Sequence, residues 1–290
     1  MKLCIAQATT MSSTFEADLQ AYSRAGFPAV ELWLTKLEEY IREHGVGAAR
    51  DLLASNTLTP LAAAGQGGLL LSERAERQVH WDLFRARLEL LRDLGVPTMV
   101  VAVDFVREMA EEDYGKAAMR LREAGTVAAD HGVRIALEFQ KTARFCSSLD
   151  TTIALVMQAS SPAVGVCFDL FHYYTGPSKF EDLAYLSPSN LAWVQLCDVA
   201  GTPREIAGDA DRIFPGEGDF QITPILDHLA AIGYEGGVSL EVLNPLLWSI
   251  PADRVADMGY QAMSRALGDR ALGGRYASGP MPDPATGAGA

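Results

Sequence analysis

Residues 111–140 read EEDYGKAAMRLREAGTVAADHGVRIALEFQ. From Glu111 to Asp130 the apolar residues recur at helical spacing, and the pattern stops at His131–Gly132. Val133 then leads into RIALEFQ (134–140), a short Ile/Leu-rich run that ends in the acid-bearing phrase Leu137-Glu138-Phe139. A glycine that ends a helix in the left-handed conformation, followed at once by an apolar residue, marks a helix-to-strand junction. The same phrase recurs at Ala25-Gly26-Phe27, Leu94-Gly95-Val96 and Ile232-Gly233-Tyr234. It amounts to a weak internal repeat of strand–helix units.

Working outward, strands are predicted over 2–8, 29–34, 59–65, 98–104, 134–140, 164–171, 192–199 and 237–243. Several are continuously apolar, as a parallel sheet covered on both faces requires. Helices are predicted from Ser13–Thr14 to Gly26, from Glu76 to Leu94, from Glu111 to Asp130 and from Thr223 to Ile232. Eight strands with helices between them make an α/β (β/α)8 TIM barrel over 1–272. The rival, a doubly wound open sheet, advertises a glycine-rich phosphate loop after its first strand. Here that loop reads Ala8-Thr9-Thr10-Met11-Ser12. Residues 273–290 are Gly/Pro/Ala-rich and aperiodic. They are expected to form a flexible tail, the alternative being an arm across the interface of a homo-oligomer.

The 290 residues carry 24 Lys+Arg against 37 Asp+Glu, a net charge of −13. So acidic a surface makes nucleic acid and anionic membranes poor partners. No run of apolar residues is long enough for a signal-peptide core or a bilayer span. Cys4, Cys146, Cys167 and Cys197 show no CxxC spacing, and three lie in apolar runs, so buried free thiols are expected. Cytoplasmic location is the corresponding expectation.

Reactive groups of such a barrel project from the C-terminal ends of its strands. Strands 5 to 8 end in phrases containing Glu138, Asp169, Gln195 and Glu241, each embedded in apolar sequence with no Lys or Arg beside it. Any one acid is as readily a helix cap as a ligand. Four oxygen donors on four consecutive strands are a different matter, because unpaired carboxylates are costly to bury. Their convergence implies a divalent cation. An all-oxygen set suits Mn²⁺ or Mg²⁺, with Co²⁺ also compatible, better than Zn²⁺. His172, three residues after Asp169, is placed to donate to a substrate oxygen; a plain loop histidine is the alternative. Arg204 and Arg212 lie in the loop after strand 7 and either hold substrate oxygens or pair with local acids. Glu31, at the end of strand 2, is a candidate for the pocket floor, and Trp33, Phe171, Tyr173, Tyr174 and Trp248 are candidates for an apolar wall. The remaining histidines (His44, His80, His131, His228) fall in helical or helix-end stretches and read as surface.

On these residues the chain resembles the xylose isomerase-like TIM-barrel superfamily, the sugar phosphate isomerase/epimerase group. That group includes hydroxypyruvate isomerase, ketose 3-epimerases, inosose isomerase and dehydratase, and 3-dehydroshikimate dehydratase. The matching pieces are VEL (30–32), LEF around Glu138, the D-x-x-H of Asp169 and His172, VQLCD (194–198), PGEGDF (215–220) and LEV around Glu241. The resemblance implies that Glu138, Asp169, Gln195 and Glu241 bind the metal, with Glu138 and Glu241 doubling as proton-transfer bases. It also implies that His172 and an arginine after strand 7 hold a small carbohydrate-derived substrate. Many epimerases carry His where this chain has Gln195, and its PREIAGDADRIFPGEG loop (203–218) is longer than theirs; both features point away from a ketohexose epimerase. The expected chemistry is proton abstraction beside a carbonyl, giving isomerisation or epimerisation. On the same site a departing β group would give dehydration, C-deglycosylation or decarboxylation.

Overall fold

The computed structural model describes residues 1–105 and 108–271; the segment 273–290 read as a tail lies outside the described residues. Eight parallel strands follow one another around a closed barrel: β1 (Lys2–Ala6), β2 (Ala29–Trp33), β3 (Thr59–Gln66), β4 (Thr98–Ala102), β5 (Arg134–Glu138), β6 (Val164–Asp169), β7 (Leu191–Leu196) and β8 (Gly237–Leu240). The barrel shuts where Leu3, Cys4 and Ile5 pair with Val238, Ser239 and Leu240. All eight predicted strands are present, but several stop short of their apolar runs. The run 164–171, for example, leaves the sheet at Asp169 and turns straight into helix. A continuous apolar run does not mark the barrel rim, because the first turn beyond it is buried too.

The helices are α1 (Phe15–Ala25), α2 (Leu34–Ser55), α3 (Arg74–Leu94), α4 (Glu112–Asp130), α5 (Leu149–Ala159), α6 (Leu170–Thr175), α7 (Ile222–Ala231), α8 (Pro245–Trp248) and α9 (Ala252–Leu267). The Thr14 hydroxyl accepts the Ala17 N–H at the start of α1, and Gly26 ends the helix at φ +98°. Such a φ is open to glycine at little cost. The long α2 is two helices broken at Gly45, where φ is +82° and ψ 161°.

Two apolar layers result. One lies between the sheet and the helices; the other fills the barrel and is made of small residues, Cys4, Ala29, Ala62, Ala136 and Cys167 among them, around Trp193. The four cysteines are free and buried. Small side chains inside the barrel leave room for the Trp193 indole and for polar groups above it.

A second buried polar cluster ties α1 and α2 to the end of β1. Lys36 Nζ lies 2.6 Å from Asp18 Oδ2 and donates to the Thr10 carbonyl at 3.1 Å. Asp18 also accepts from the Thr10 hydroxyl (2.7 Å) and the Gln7 amide (3.2 Å). Burial raises the Asp18 pKa even against Lys36. Stripping one partner from such a pair strands the other charge. Replacing Lys36→Met is therefore expected to lower unfolding stability by about 3 kcal/mol. Adding Asp18→Asn to that variant should recover much of the loss, as read by the denaturant midpoints of the two variants.

Candidate active site

The C-terminal end of the barrel gathers the acids. Glu138 is the last residue of β5, Asp169 the last of β6, Gln195 the penultimate residue of β7, and Glu241 follows β8 directly. All four are buried, as is Glu31 on β2. Glu138, Asp169 and His172 each turn a ligand atom into one cluster whose members lie within 4.8 Å of one another. Gln195 Nε2 donates to Glu31 Oε1 and to Glu241 Oε1, both at 2.9 Å, and Trp193 Nε1 donates to Glu31 Oε2 at 3.0 Å. Glu31 thus lies beneath the site, holding Gln195 and Trp193.

Asp169 works twice. Its Oδ1 caps α6, accepting from the backbone of Phe171 (2.6 Å) and His172 (3.4 Å), while its Oδ2 accepts from Arg212 Nη1 at 2.9 Å. Arg212 Nη1 also donates to Glu241 Oε2 at 3.1 Å, its Nε and Nη2 engage Asp209, and its guanidinium lies 4.3 Å from the Phe171 ring centroid. Of the two readings open for Arg212, pairing with acids is what the structure contains, and the acids are those of the site. Arg204 is exposed, donates to the Gly176 carbonyl and does not line the cavity described below.

The loop carrying Arg212 is held by Asp198 and Asn244. Asp198 accepts from the N–H of Val199, Gly216 and Phe220 (2.9–3.0 Å), and its backbone pairs with Ile213. The Asn244 amide donates to the Arg212 carbonyl at 3.0 Å.

A cavity of about 590 Å³ opens on this cluster, with Glu138, His172, Gln195, Arg212 and Glu241 in its wall. Among the further wall residues that the sequence did not single out are Asp104 and His80. Asp104, just past β4, accepts from the N–H of Leu70, Leu71 and Ser72 through one oxygen. It stands at the end of a predicted strand, so the strand-end filter applied to strands 5–8 would have found it. His80, read as surface, lines the cavity with Nδ1 3.1 Å from the Gly68 carbonyl. Its helix starts at the barrel mouth, so the first turns of α3 overlook the cavity. Of the aromatic wall candidates only Trp33 lines the cavity.

The electrostatics follow from burial. Burial and the neighbouring Asp169 push Glu138 up to about 8. Burial lifts Glu31 to about 7 against its hydrogen bonds, and Glu241 is raised as well. Burial alone would raise Asp169, but Arg212, His172 and the α6 N–H groups outweigh it and hold the carboxyl low. Burial depresses His172 to about 4, so its imidazole is neutral at pH 7. Four buried carboxylates facing one guanidinium leave negative charge unmet. The oxygen and nitrogen donors of Glu138, Asp169 and His172 are close enough to share an ion, so the residues present fit a divalent cation.

Barrel, strand-end acids and cavity define a class: an α/β barrel with a polar, acid-lined site at its C-terminal mouth. The model of the xylose isomerase-like TIM barrel family matches residues 19–266, and the chain belongs to that family. An inosose isomerase of Bacillus velezensis is 28% identical over 262 residues, covering 87% of this chain and 92% of the relative. A 3-dehydroshikimate dehydratase of Pseudomonas putida is 27% identical over 266 residues, and the match spans 40% of that protein. In fold, the chain is similar to the IolI protein, solved with a bound zinc atom, at a TM-score of 0.85 and 24% identity, over 92% of this chain and 98% of that one. Among the described residues no helix is long and apolar enough to cross a membrane.

A carboxyl whose folded pKa is raised binds its proton more tightly folded than unfolded. Its stabilising contribution is present at low pH and lost as pH climbs through the folded value. With Glu31 near 7 and Glu138 near 8, against an ordinary 4.5, the metal-free protein is expected to lose melting temperature from about pH 5 to pH 8. Added Mn²⁺ should restore more at the upper end, where its ligands are deprotonated. Thermal unfolding with EDTA and with Mn²⁺ checks both trends.

Proposed function

We propose that the chain is a divalent-metal-dependent isomerase or epimerase of a small keto-sugar or keto-polyol, working by proton transfer at the carbon beside a carbonyl. The observation that carries this reading is the set of buried carboxylates Glu138, Asp169 and Glu241, with Gln195 among them, at successive strand ends facing a cavity of about 590 Å³. That volume falls in the range of small-molecule sites.

Glu138, Asp169, Gln195 and Glu241 would hold the ion, Mn²⁺ or Mg²⁺ by preference and Co²⁺ as an alternative. A bound divalent ion supplies Lewis acidity at the vicinal oxygens of a hydroxy-ketone. Of Glu138, at the end of β5, and Glu241, just after β8, one carboxylate would take a proton and the other return one to the neighbouring carbon or the opposite face. Neutral His172 donates to a substrate oxygen. Arg212, stacked on Phe171 and paired with Asp169, Glu241 and Asp209, would hold the acids of the site in register. Glu31 and Glu241 both take the Gln195 Nε2 while its Oε1 accepts from Cys167 Sγ, so coordination through Gln195 would require its amide to turn over.

The same proton abstraction followed by loss of water, an aglycone or CO₂ would make a lyase. The inosose isomerase, aligned over 87% of this chain, supports the isomerase reading, and the dehydratase, aligned over 88% of it, supports the lyase reading of the same barrel.

Proton NMR in D₂O, with Mg²⁺ and a panel of ketoses, inososes, 3-keto-glycosides and β-keto sugar acids, tests the proposal. Deuterium should enter at the carbon next to the carbonyl with the molecular formula unchanged, and EDTA should stop it. Glu138→Gln and Glu241→Gln should each slow exchange by about 10²–10⁴-fold. Elimination products in place of exchange would move the enzyme to the lyases. Exchange that survives both substitutions and EDTA would overturn the metal-assisted mechanism.

A further inference from the structure

Among the described residues two histidines line the cavity, and the backbone holds them in opposite tautomers. His172 stands in α6, after β6; His80 stands in α3, after β3. A backbone N–H can only donate, and a carbonyl oxygen can only accept. The Lys141 N–H approaches His172 Nδ1 at 3.5 Å, which makes that nitrogen the acceptor and puts the ring's N–H on Nε2. His80 Nδ1 lies 3.1 Å from the Gly68 carbonyl, so there Nδ1 is the donor. In a neutral ring the other nitrogen, His80 Nε2, is then bare and accepts.

The loop after β3 is shaped to this ring. Gly67 and Gly68 line the cavity beside it, and Gly68 sits at φ +74°. A Cβ on Gly68 would run into His80 Nδ1, so a side chain there would push the imidazole off its carbonyl. The Ser72 hydroxyl donates to the same Gly68 carbonyl and so pins the oxygen that orients His80. Among the described residues the histidines paired with acids are His44 and His172, so no acid claims the His80 ring. His80 Nε2 has no hydrogen-bond partner among them either, and unlike His228 Nε2 it is not enclosed. An oriented, open acceptor on a cavity wall is the kind of polar group that fixes a ligand's orientation.

We infer that His80 is a second substrate-binding histidine, whose Nε2 accepts a hydrogen bond from a substrate hydroxyl. His172, with its N–H on Nε2, donates to a substrate oxygen. One histidine thus reads a donor and the other an acceptor, which decides which way round the substrate lies. The inference rests on the proposed function for the ketone chemistry, but the tautomer of His80 and its open acceptor stand apart from it.

Long-range proton–nitrogen NMR of the ¹⁵N-histidine-labelled, Mg²⁺-loaded protein at about pH 8.5, where an imidazole carries one N–H, reads the tautomer directly. His80, assigned by the loss of its signals in His80→Gln, should carry its proton on Nδ1. Adding xylitol, a polyol with no carbonyl to react, should shift the bare Nε2. A proton on His80 Nε2, or an Nε2 signal that xylitol leaves unmoved, would overturn the inference. With a ketone that exchanges deuterium, His80→Leu should raise KM by about 10-fold with little change in kcat. His80→Gln, whose amide oxygen stands in for Nε2, should recover most of that loss. An unchanged KM in His80→Leu would also overturn the inference. If xylitol moves the His80 signal while no ketone of the exchange panel reacts, the proposed reaction fails and the role of His80 stands.

Discussion

Glu31, Glu138, Asp169 and Glu241 share one barrel mouth, each almost wholly buried. Two like charges 4 Å apart repel by about 4 kcal/mol at an effective dielectric of 20, and burial adds a desolvation cost to each. The surroundings are arranged around that cost, and unequally. Asp169 receives the N-terminus of α6 and Arg212, and it alone of the four is held below the ordinary carboxylate range. Glu31 receives Trp193 and Gln195; among the described residues Glu138 receives the Gln140 amide alone and rises further. Glu241 stays raised although Arg212 touches it, because burial dominates and the same Nη1 is shared with Asp169. Protons meet the surplus negative charge in the metal-free state. A divalent ion would meet it in their place, which ties metal affinity to pH.

Holding one arginine between two acids demands a rigid loop, and the chain spends three polar side chains on such loops. Asp198 and Asn244 fix the segment that carries Arg212, and Asp104 fixes the loop after β3. Each exchanges an exposed-loop side chain for a clasp on several backbone groups, which a buried turn otherwise leaves unpaired. Rigid clasps under the mouth, and alanines and cysteines inside the barrel, let Trp193 and Glu31 form a firm floor for Gln195.

Much of this was legible in the sequence, for a definite reason. A covered parallel sheet writes continuous apolar runs, and an acid inside such a run at a strand end stands out against its neighbours. Glu138, Asp169 and Glu241 announced themselves in that way. Partnerships between distant segments left no such mark. Arg212 sits 43 residues from Asp169, Lys36 sits 18 from Asp18, and nothing local in either sequence distinguishes a buried ion pair from a solvated surface. Asp18 falls on the polar-looking part of an amphipathic helix, and its burial depends on where α2 packs. The break in α2 at Gly45 was equally silent, since a glycine inside a helical pattern reads the same whether the helix passes through it or restarts. His80 was misread because helical periodicity says which face is apolar, not which end overlooks the cavity.

Charge links the whole chain to the site. A net charge of −13 surrounds a mouth that already holds more acid than base. Such a field concentrates divalent cations and disfavours the approach of anions. The two effects are one property: a surplus of acid at Glu138, Asp169 and Glu241 that favours a cation and repels an anion.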